Sequence, residues 1–253
     1  MERREFLKKC CTTGPVLLAV ARIGASGQAL PEAGATSPSY DPTKHFYGML
    51  VNPGVCIGCG RCVEACKTEN DVPREPQYMR TWIERYIVQE DGETTVESPN
   101  GGINGFPPLL KEKGIDRAFY VPKICNHCAS PPCVDVCPVG ATFISRDGVV
   151  LVDDQYCMAC CYCVEACPYG MRFINPNTRV ADKCTFCYHR VVRGLVPACV
   201  EACPTQARIF GEVGRPNSPL THFRRVGTLT VLKPELNCKP KVFYANLPNG
   251  EVR

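Results

Sequence analysis

The chain has 253 residues, enough for one large domain or two fused small ones with a real core. Its 20 cysteines leave two classes, a disulfide scaffold or a metal protein, and at this length metal is the first choice. The formal charge of +4 overstates its basicity, because residues 1–29 hold Arg3, Arg4, Lys8, Lys9 and Arg22 against Glu2 and Glu5, a net +3, which leaves +1 for the rest. No basic stripe or aromatic stacking motif points to nucleic acid.

The chain opens with Arg3-Arg4, then Phe6, Leu7 and Lys8, a pattern similar to the twin-arginine export signal R-R-x-F-L-K. A modestly apolar stretch, Thr12 to Ala21, follows and ends at Arg22, too short to span a bilayer. Small residues near Gly27-Gln28-Ala29 or Ala25-Ser26-Gly27 offer a cleavage site, so residues 1–29 read as a signal peptide and 30–45 as a linker. Lys8 and Lys9 argue against lipidation at Cys10 or Cys11. The signal predicts a periplasmic protein exported folded by the twin-arginine translocase. That route reconciles an oxidising compartment with free thiols, because clusters built in the cytoplasm occupy the thiolates before export. No later stretch is long and apolar enough for a transmembrane helix, so no direct membrane span is expected.

An internal repeat organises the remainder. The pattern C-V-[ED]-[AV]-C occurs four times, each copy preceded by a C-x2-C pair. Unit one is Cys56, Cys59, Cys62 and Cys66; unit two is Cys125, Cys128, Cys133 and Cys137; unit three is Cys157, Cys160, Cys163 and Cys167; unit four is Cys184, Cys187, Cys199 and Cys203. Pro138, Pro168 and Pro204 follow the last cysteine of units two to four, and Lys67 takes that place in unit one. A C-x2-C loop turns two sulfurs inward, the next turn supplies a third, and the fourth is expected to open a helix and point elsewhere. In two-cluster ferredoxins this fourth cysteine ligates the other cluster. Zinc sites also use C-x2-C pairs but do not require the fourth cysteine and its Pro.

Between the units the chain reads as small α+β elements. Residues 81–89 alternate as a strand, Asp91-Gly92 turns it, and 94–98 return as its hairpin partner. Residues 149–153 and 207–213 are strand-like, Ser218-Pro219 opens a short helix through Arg224, and 228–232 and 241–247 are late strands. The interval 67–124 reads as an inserted loop and hairpin that offers a partner-contact surface.

The four units, their order and the eleven-residue gap in unit four resemble the iron–sulfur electron-transfer subunits of the molybdopterin-oxidoreductase superfamily. So do the stretches CNHCASPPCVDVCPVGATF, ACPYGMRFI, ADKCTFCYHR and VLKPE. With its own export signal the chain is most similar to the periplasmic ferredoxin-like subunits of the Dsr sulfite-reduction-associated membrane complex, and next to the tetrathionate-reductase subunits. The resemblance implies tandem ferredoxin-like lobes, each of the bacterial two-[4Fe–4S] type. One is formed by residues 46–124 and 180–213 (units one and four, with the insertion) and the other by 125–179 (units two and three), with 214–253 as a C-terminal extension. It also implies ligand sets exchanged between units. Cys56, Cys59, Cys62 and Cys203 would hold cluster one, and Cys184, Cys187, Cys199 and Cys66 cluster two. Cys125, Cys128, Cys133 and Cys167 would hold cluster three, and Cys157, Cys160, Cys163 and Cys137 cluster four. No position of the four units lacks its cysteine, so four [4Fe–4S] clusters are expected, and the loaded chain is acidic.

The function implied is one-electron conduction with no catalytic residues. The implied partners are an integral-membrane quinone-interacting subunit of the polysulfide-reductase anchor type, and a molybdopterin subunit or a multihaem cytochrome. Two rivals remain: an enzyme, for which no phosphate loop, nucleophile–base pair or C-x2-C-H haem site is present, and a zinc-stabilised interaction module. His127 and His189 lie near cluster motifs and read as structural. Arg61, Lys123, Arg172 and Lys183 sit beside ligands; each could raise a local potential, but singly each reads as a solvated surface charge. Cys161 falls out of register in the run Cys157–Cys167, and it and Cys238 are spare; Cys161 reads as a small buried residue.

Overall fold

The structure is a computed structural model and describes residues 40–109, 114–247 and 252. The signal assigned to 1–29 and most of the linker assigned to 30–45 lie outside the described residues.

Each cysteine unit is a loop that ends on a short helix. Helices α1 (Arg61–Glu69), α2 (Pro132–Asp135), α3 (Tyr162–Glu165), α4 (Tyr188–Val191), α5 (Ala198–Glu201) and α6 (Pro219–Val226) follow in chain order. The third cysteine of every unit (Cys62, Cys133, Cys163, Cys199) is the second residue of its helix. The fourth cysteine does not open a helix, contrary to the expectation. In units two to four it lies just past the helix end, where the following Pro, lacking an N–H, cannot continue the helix. In unit one Lys67 replaces that Pro, and α1 runs on through Cys66 to Glu69. Lys67 is buried, and its Nζ donates to the carbonyls of Pro73 (2.6 Å), Glu75 (3.0 Å) and Tyr78 (2.8 Å), stapling the first turn of the insertion.

The strands are β1 (Tyr47–Val51), β2 (Thr81–Gln89), β3 (Thr94–Glu97), β4 (Ile115–Ile124), β5 (Thr142–Ile144), β6 (Val150–Val152), β7 (Phe173–Ile174), β8 (Ala181–Asp182), β9 (Arg208–Glu212), β10 (Leu229–Thr230) and β11 (Val242–Ala245). They form four small sheets, ordered β10-β11-β1-β9, β3-β2-β4, β5-β6 and β7-β8. With the helices this is an α+β chain. The expected hairpin β2–β3 is present, but the insertion is more than a hairpin, because β4 completes an antiparallel sheet on the other side of β2. Pro122 lies in β4, where an edge strand tolerates a missing N–H.

The late strands do not form an appendage. β11 pairs parallel with β1, and β9 antiparallel with the other edge of β1, so the C-terminus completes the sheet that begins the first unit. α6 packs on β9 and β1, with the hydroxyl of its N-cap Ser218 accepting from the Leu220 N–H at 3.3 Å. The main core mixes Met49, Val51, Ile83, Tyr86, Val121, Phe186 and Tyr244 with the thiols of Cys62, Cys125, Cys184 and Cys199. Among the described residues no helix is long and apolar enough to cross a membrane.

Replacing Lys67 by Met leaves three carbonyls without their charged donor. Bonds to charged groups contribute about 1.5–3 kcal/mol each. A loss of even about 2 kcal/mol opens the 70–80 segment on the order of thirtyfold more often. Limited proteolysis should show the faster cut there, and unchanged cleavage would contradict the staple.

Candidate metal centres

The four C-x2-C loops share one backbone device. The residue before the second cysteine (Gly58, His127, Ala159, Phe186) has φ of +67°, +42°, +56° and +54°. This left-handed step costs about 1–3 kcal/mol in a residue with a side chain, yet three of the four loops adopt it without glycine. In unit four it directs a backbone N–H at the first sulfur of the pair. The Phe186 N–H donates to Cys184 Sγ at 3.3 Å. Sulfurs elsewhere receive similar donors: Ala207 to Cys203 (3.2 Å), Ala181 to Cys157 (3.4 Å) and Thr142 to Cys137 (3.5 Å).

The thiols gather in four groups. Cys66, Cys184, Cys187 and Cys199 line one cavity. Cys125, Cys128, Cys133 and Cys167 line a second, and Cys137, Cys157, Cys160 and Cys163 a third. Cys56, Cys59, Cys62 and Cys203 form the fourth group, in which Cys62 feels the charges of Cys59 and Cys203, and Cys56 those of Cys62 and Cys203. The structure thus brings together the same four sets that the resemblance implies. In each set one thiol comes from another unit: Cys203, Cys66, Cys167 or Cys137.

The groups follow one another through the molecule. In the order of the ligand sets, the first (Cys56, Cys59, Cys62, Cys203) meets the second (Cys66, Cys184, Cys187, Cys199) where Cys62 and Cys199 influence each other. Cys184 and Cys125 link the second to the third, the set of Cys125, Cys128, Cys133 and Cys167. Cys133 and Cys163 pack in one small core with Val150 and Ala181 between the third and the fourth, the set of Cys137, Cys157, Cys160 and Cys163.

Burial governs the thiols. It pushes Cys56 and Cys199 up to about 11 and raises Cys62, Cys66, Cys128, Cys133, Cys163, Cys167 and Cys184, so that the free side chains hold protons a metal must displace. Cys137 is the exception, where burial is outweighed by N–H donors from Thr142, Val139 and Ala141 that lower its pKa.

Three features fit a polynuclear iron–sulfur group. First, among the described residues no three His, Cys, Asp or Glu side chains converge to hold a single metal ion; the thiols surround a cavity instead. Second, the buried guanidinium atoms Nε and Nη1 of Arg172 and of Arg208 have no hydrogen-bond partner within the protein. Third, Arg172 lines the cavity of the third set and the charge of Arg208 bears on the thiols of Cys62 and Cys199, so these donors suit anionic sulfur.

Of the other residues that the sequence singles out, Arg61 is exposed, as expected. Lys123, Arg172 and Lys183 are buried, not solvated surface charges. Lys123 pairs with Glu84 at 3.3 Å. His127 is structural: it is buried, its ring stacks on Phe186 at 3.7 Å, and its Nδ1 accepts from the Val150 N–H. Burial, with Lys183 and Lys241 nearby, holds its pKa well below the ordinary range and keeps it neutral. His189 is exposed and pairs with Glu69 at 2.7 Å. Asn70 carries no motif in the sequence, yet its Nδ2 donates to the sulfurs of Cys66 (3.7 Å) and Cys187 (3.5 Å). Cys238 is buried beside Cys128 and Tyr169.

Cys161 is a correction. It is exposed at the rim of the cavity of the fourth set, not buried. It is the left-handed N-cap of α3 (φ +68°), the role Gly60 plays for α1 (φ +75°). A Cβ on Gly60 would collide with the carbonyls of Gly102 and Ile103 in the insertion, so only glycine fits there. Unit three carries no insertion, and a side chain is accommodated.

Comparison with known proteins agrees with this geometry. Residues 55–141 and 117–213 match descriptions of the 4Fe-4S dicluster domain. The matches run in sequence order and overlap on unit two, whereas in space unit one faces unit four. The chain is an iron–sulfur protein with two ferredoxin-like dicluster domains, and it carries four [4Fe–4S] clusters. It is 40% identical to the B component of the tetrathionate reductase of Salmonella typhimurium, over 99% of this chain and 90% of that protein. It is 38% identical to the protein NrfC of Escherichia coli (81% and 83%), and 34% identical to the B component of the polysulfide reductase of Wolinella succinogenes (81% and 97%). The chain belongs to this family of iron–sulfur electron-transfer subunits of the reductases.

Changing Cys161 to Gly should keep iron at about sixteen per chain and relieve about 1 kcal/mol of left-handed strain. Gly60→Ala should lower iron content, since backbone must move to admit it. Iron analysis of the two variants side by side reads both, and loss of iron on Cys161→Gly would show the register to be wrong.

Proposed function

We propose that this chain is the electron-transfer subunit of a molybdopterin reductase of the tetrathionate or polysulfide type. The observation that carries the reading is the unbroken succession of four thiol groups, each drawn from two units. The relatives named above favour this reading over the sulfite-associated Dsr complex, which stands as the second. The clusters supply one-electron chemistry. The chain's own residues ligate them, exclude water and tune them through N–H donors and buried charge.

The ligand sets proposed are Cys56, Cys59, Cys62 and Cys203; Cys66, Cys184, Cys187 and Cys199; Cys125, Cys128, Cys133 and Cys167; and Cys137, Cys157, Cys160 and Cys163. Partner contacts are proposed at the two end groups. In the end loops the residue after the first cysteine, Ile57 or Met158, is exposed; its counterparts are buried (Asn126) or half-buried (Thr185). Tyr156 and Tyr162 widen the apolar surface around Met158, where the Cys160 thiol itself is exposed. These surfaces suit a membrane quinone-interacting subunit at one end and a molybdopterin subunit, or in the second reading a multihaem cytochrome, at the other. Export by the twin-arginine translocase and a periplasmic location complete the proposal, supported by Arg3-Arg4 and the residues after them.

Two experiments test it. Cys137→Ala and Cys163→Ala should each abolish the same paramagnetic signal of the reduced protein, and Cys167→Ala should abolish a different one, shared with Cys125→Ala. Loss of one common signal from Cys163→Ala and Cys167→Ala would break the exchange of thiols. In addition, Met158→Glu should weaken recovery of the chain with its partner subunits about tenfold or more, as burying an unpaired charge in an interface does, with iron content unchanged. Wild-type protein found only as a free soluble monomer would sink the complex.

A further inference from the structure

Three buried cations remain unexplained by ligation. Arg208 is almost fully buried, and its Nη2 donates to Thr81 Oγ1 at 2.7 Å. The rest of its guanidinium faces Cys62 and Cys56 of the first thiol group and Cys199 of the second. Arg172 repeats the arrangement. It is buried, its Nη2 donates to Thr142 Oγ1 at 3.0 Å, and its charge bears on Cys133 and Cys167 of the third group and Cys163 of the fourth. Lys183 fills the remaining junction. Its Nζ donates to the carbonyls of Val150 and Cys184, and it faces Cys125 and Cys133 of the third group and Cys184 of the second.

The repetition is also in the sequence. Arg172 and Arg208 each stand five residues after the fourth cysteine, in C-P-x-x-x-R stretches of units three and four. Unit two has Thr142 at that position, and Thr142 is the residue that holds Arg172. Each ferredoxin-like half therefore carries one arginine aimed between its two thiol groups and anchored by a threonine at the start of a strand. Lys183 stands between the halves.

Resting on the ligand sets proposed above, we propose that Arg208, Lys183 and Arg172 are positioning residues for electron transfer. Each stands at one of the three junctions and raises the reduction potential of both flanking clusters. Reduction adds negative charge to a group buried in a low dielectric, where a nearby fixed cation is screened little. A cation between two anionic clusters also offsets their mutual repulsion, so one can take up an electron while its neighbour is still reduced. Lys241, by contrast, is buried near Cys128 and Cys125 of one group, with Asp147 also close, and donates to the Gly148 carbonyl.

The test is a potentiometric titration of the cluster-loaded full chain, followed by paramagnetic resonance, for Arg172→Gln, Arg208→Gln and Lys183→Met, with Arg172→Lys and Arg208→Lys as charge-keeping controls. Each neutral variant should lower the potentials of the two flanking clusters together and leave the other two in place. At a fixed potential their reduced-to-oxidised ratio should fall about tenfold, equivalent to ~59 mV for one electron. A neutral variant that keeps its iron and all four potentials overturns the proposal at that junction. If a Gln variant loses iron, the Lys variant decides. Iron and potentials retained support a role for the charge, while loss of iron or a shift as large as that of a missing charge overturns it. For Lys183, loss of iron in Lys183→Met also overturns it. Wild-type protein with far fewer than sixteen irons would instead defeat the cluster reading itself, so the two failures are distinguishable.

Discussion

The fold depends on the exchange of the fourth thiol between units. Cys203 reaches the group of unit one while Cys66 reaches that of unit four, and Cys167 and Cys137 trade places between units three and two. Held by common clusters as proposed, the exchanged thiols would close loops of chain, and such a cross-link removes entropy from the unfolded state. Such closure suits a chain whose four sheets are small and whose helices in units two to four are single turns. Apolar burial is correspondingly interleaved with sulfur: the main core counts Cys62, Cys125, Cys184 and Cys199 among its members.

Burying that much sulfur creates an electrostatic demand. A thiolate taken out of water regains favourable interactions only from donors and cations placed in advance. Backbone N–H groups supply the donors, and in the three C-x2-C loops whose left-handed residue is not glycine the conformational cost persists because the surrounding structure over-determines it. The cations come from residues immediately after or before the motifs, and their unbonded guanidinium atoms point to anionic sulfur as the missing partner. The same placement serves electron transfer, since whatever stabilises thiolate beside the cluster also shifts its potential.

Unit one differs from the others for one connected set of reasons. Lys67 in place of Pro lets α1 continue and supplies the donor that gathers the carbonyls of residues 73–78. The insertion so launched forms the sheet β3-β2-β4 and returns to lie against Gly60. Thr81, the first residue of β2, then stands where it can hold Arg208. The insertion is thus tied to the first junction as well as to the surface.

The cysteine spacing by itself determined the cofactor class, the number of clusters and the strands with clear alternation, such as β2, because ligand geometry and period-two burial are local properties. β4 was illegible because Pro122 and the exposed first half of the strand mask any alternation. β11 was legible as a strand but not as the partner of β1, since pairing between distant segments leaves no local trace. Cys161 was misplaced for a related reason: sequence register shows that it is spare, but only the absence of packing over unit three decides that it is exposed. Arg208 lay in a legible C-P-x-x-x-R repeat with Arg172, yet spacing alone cannot separate a buried charge from a solvated one. That distinction is made by the whole fold, which closes around Arg208, Lys183 and Arg172 and removes the water that would otherwise screen them.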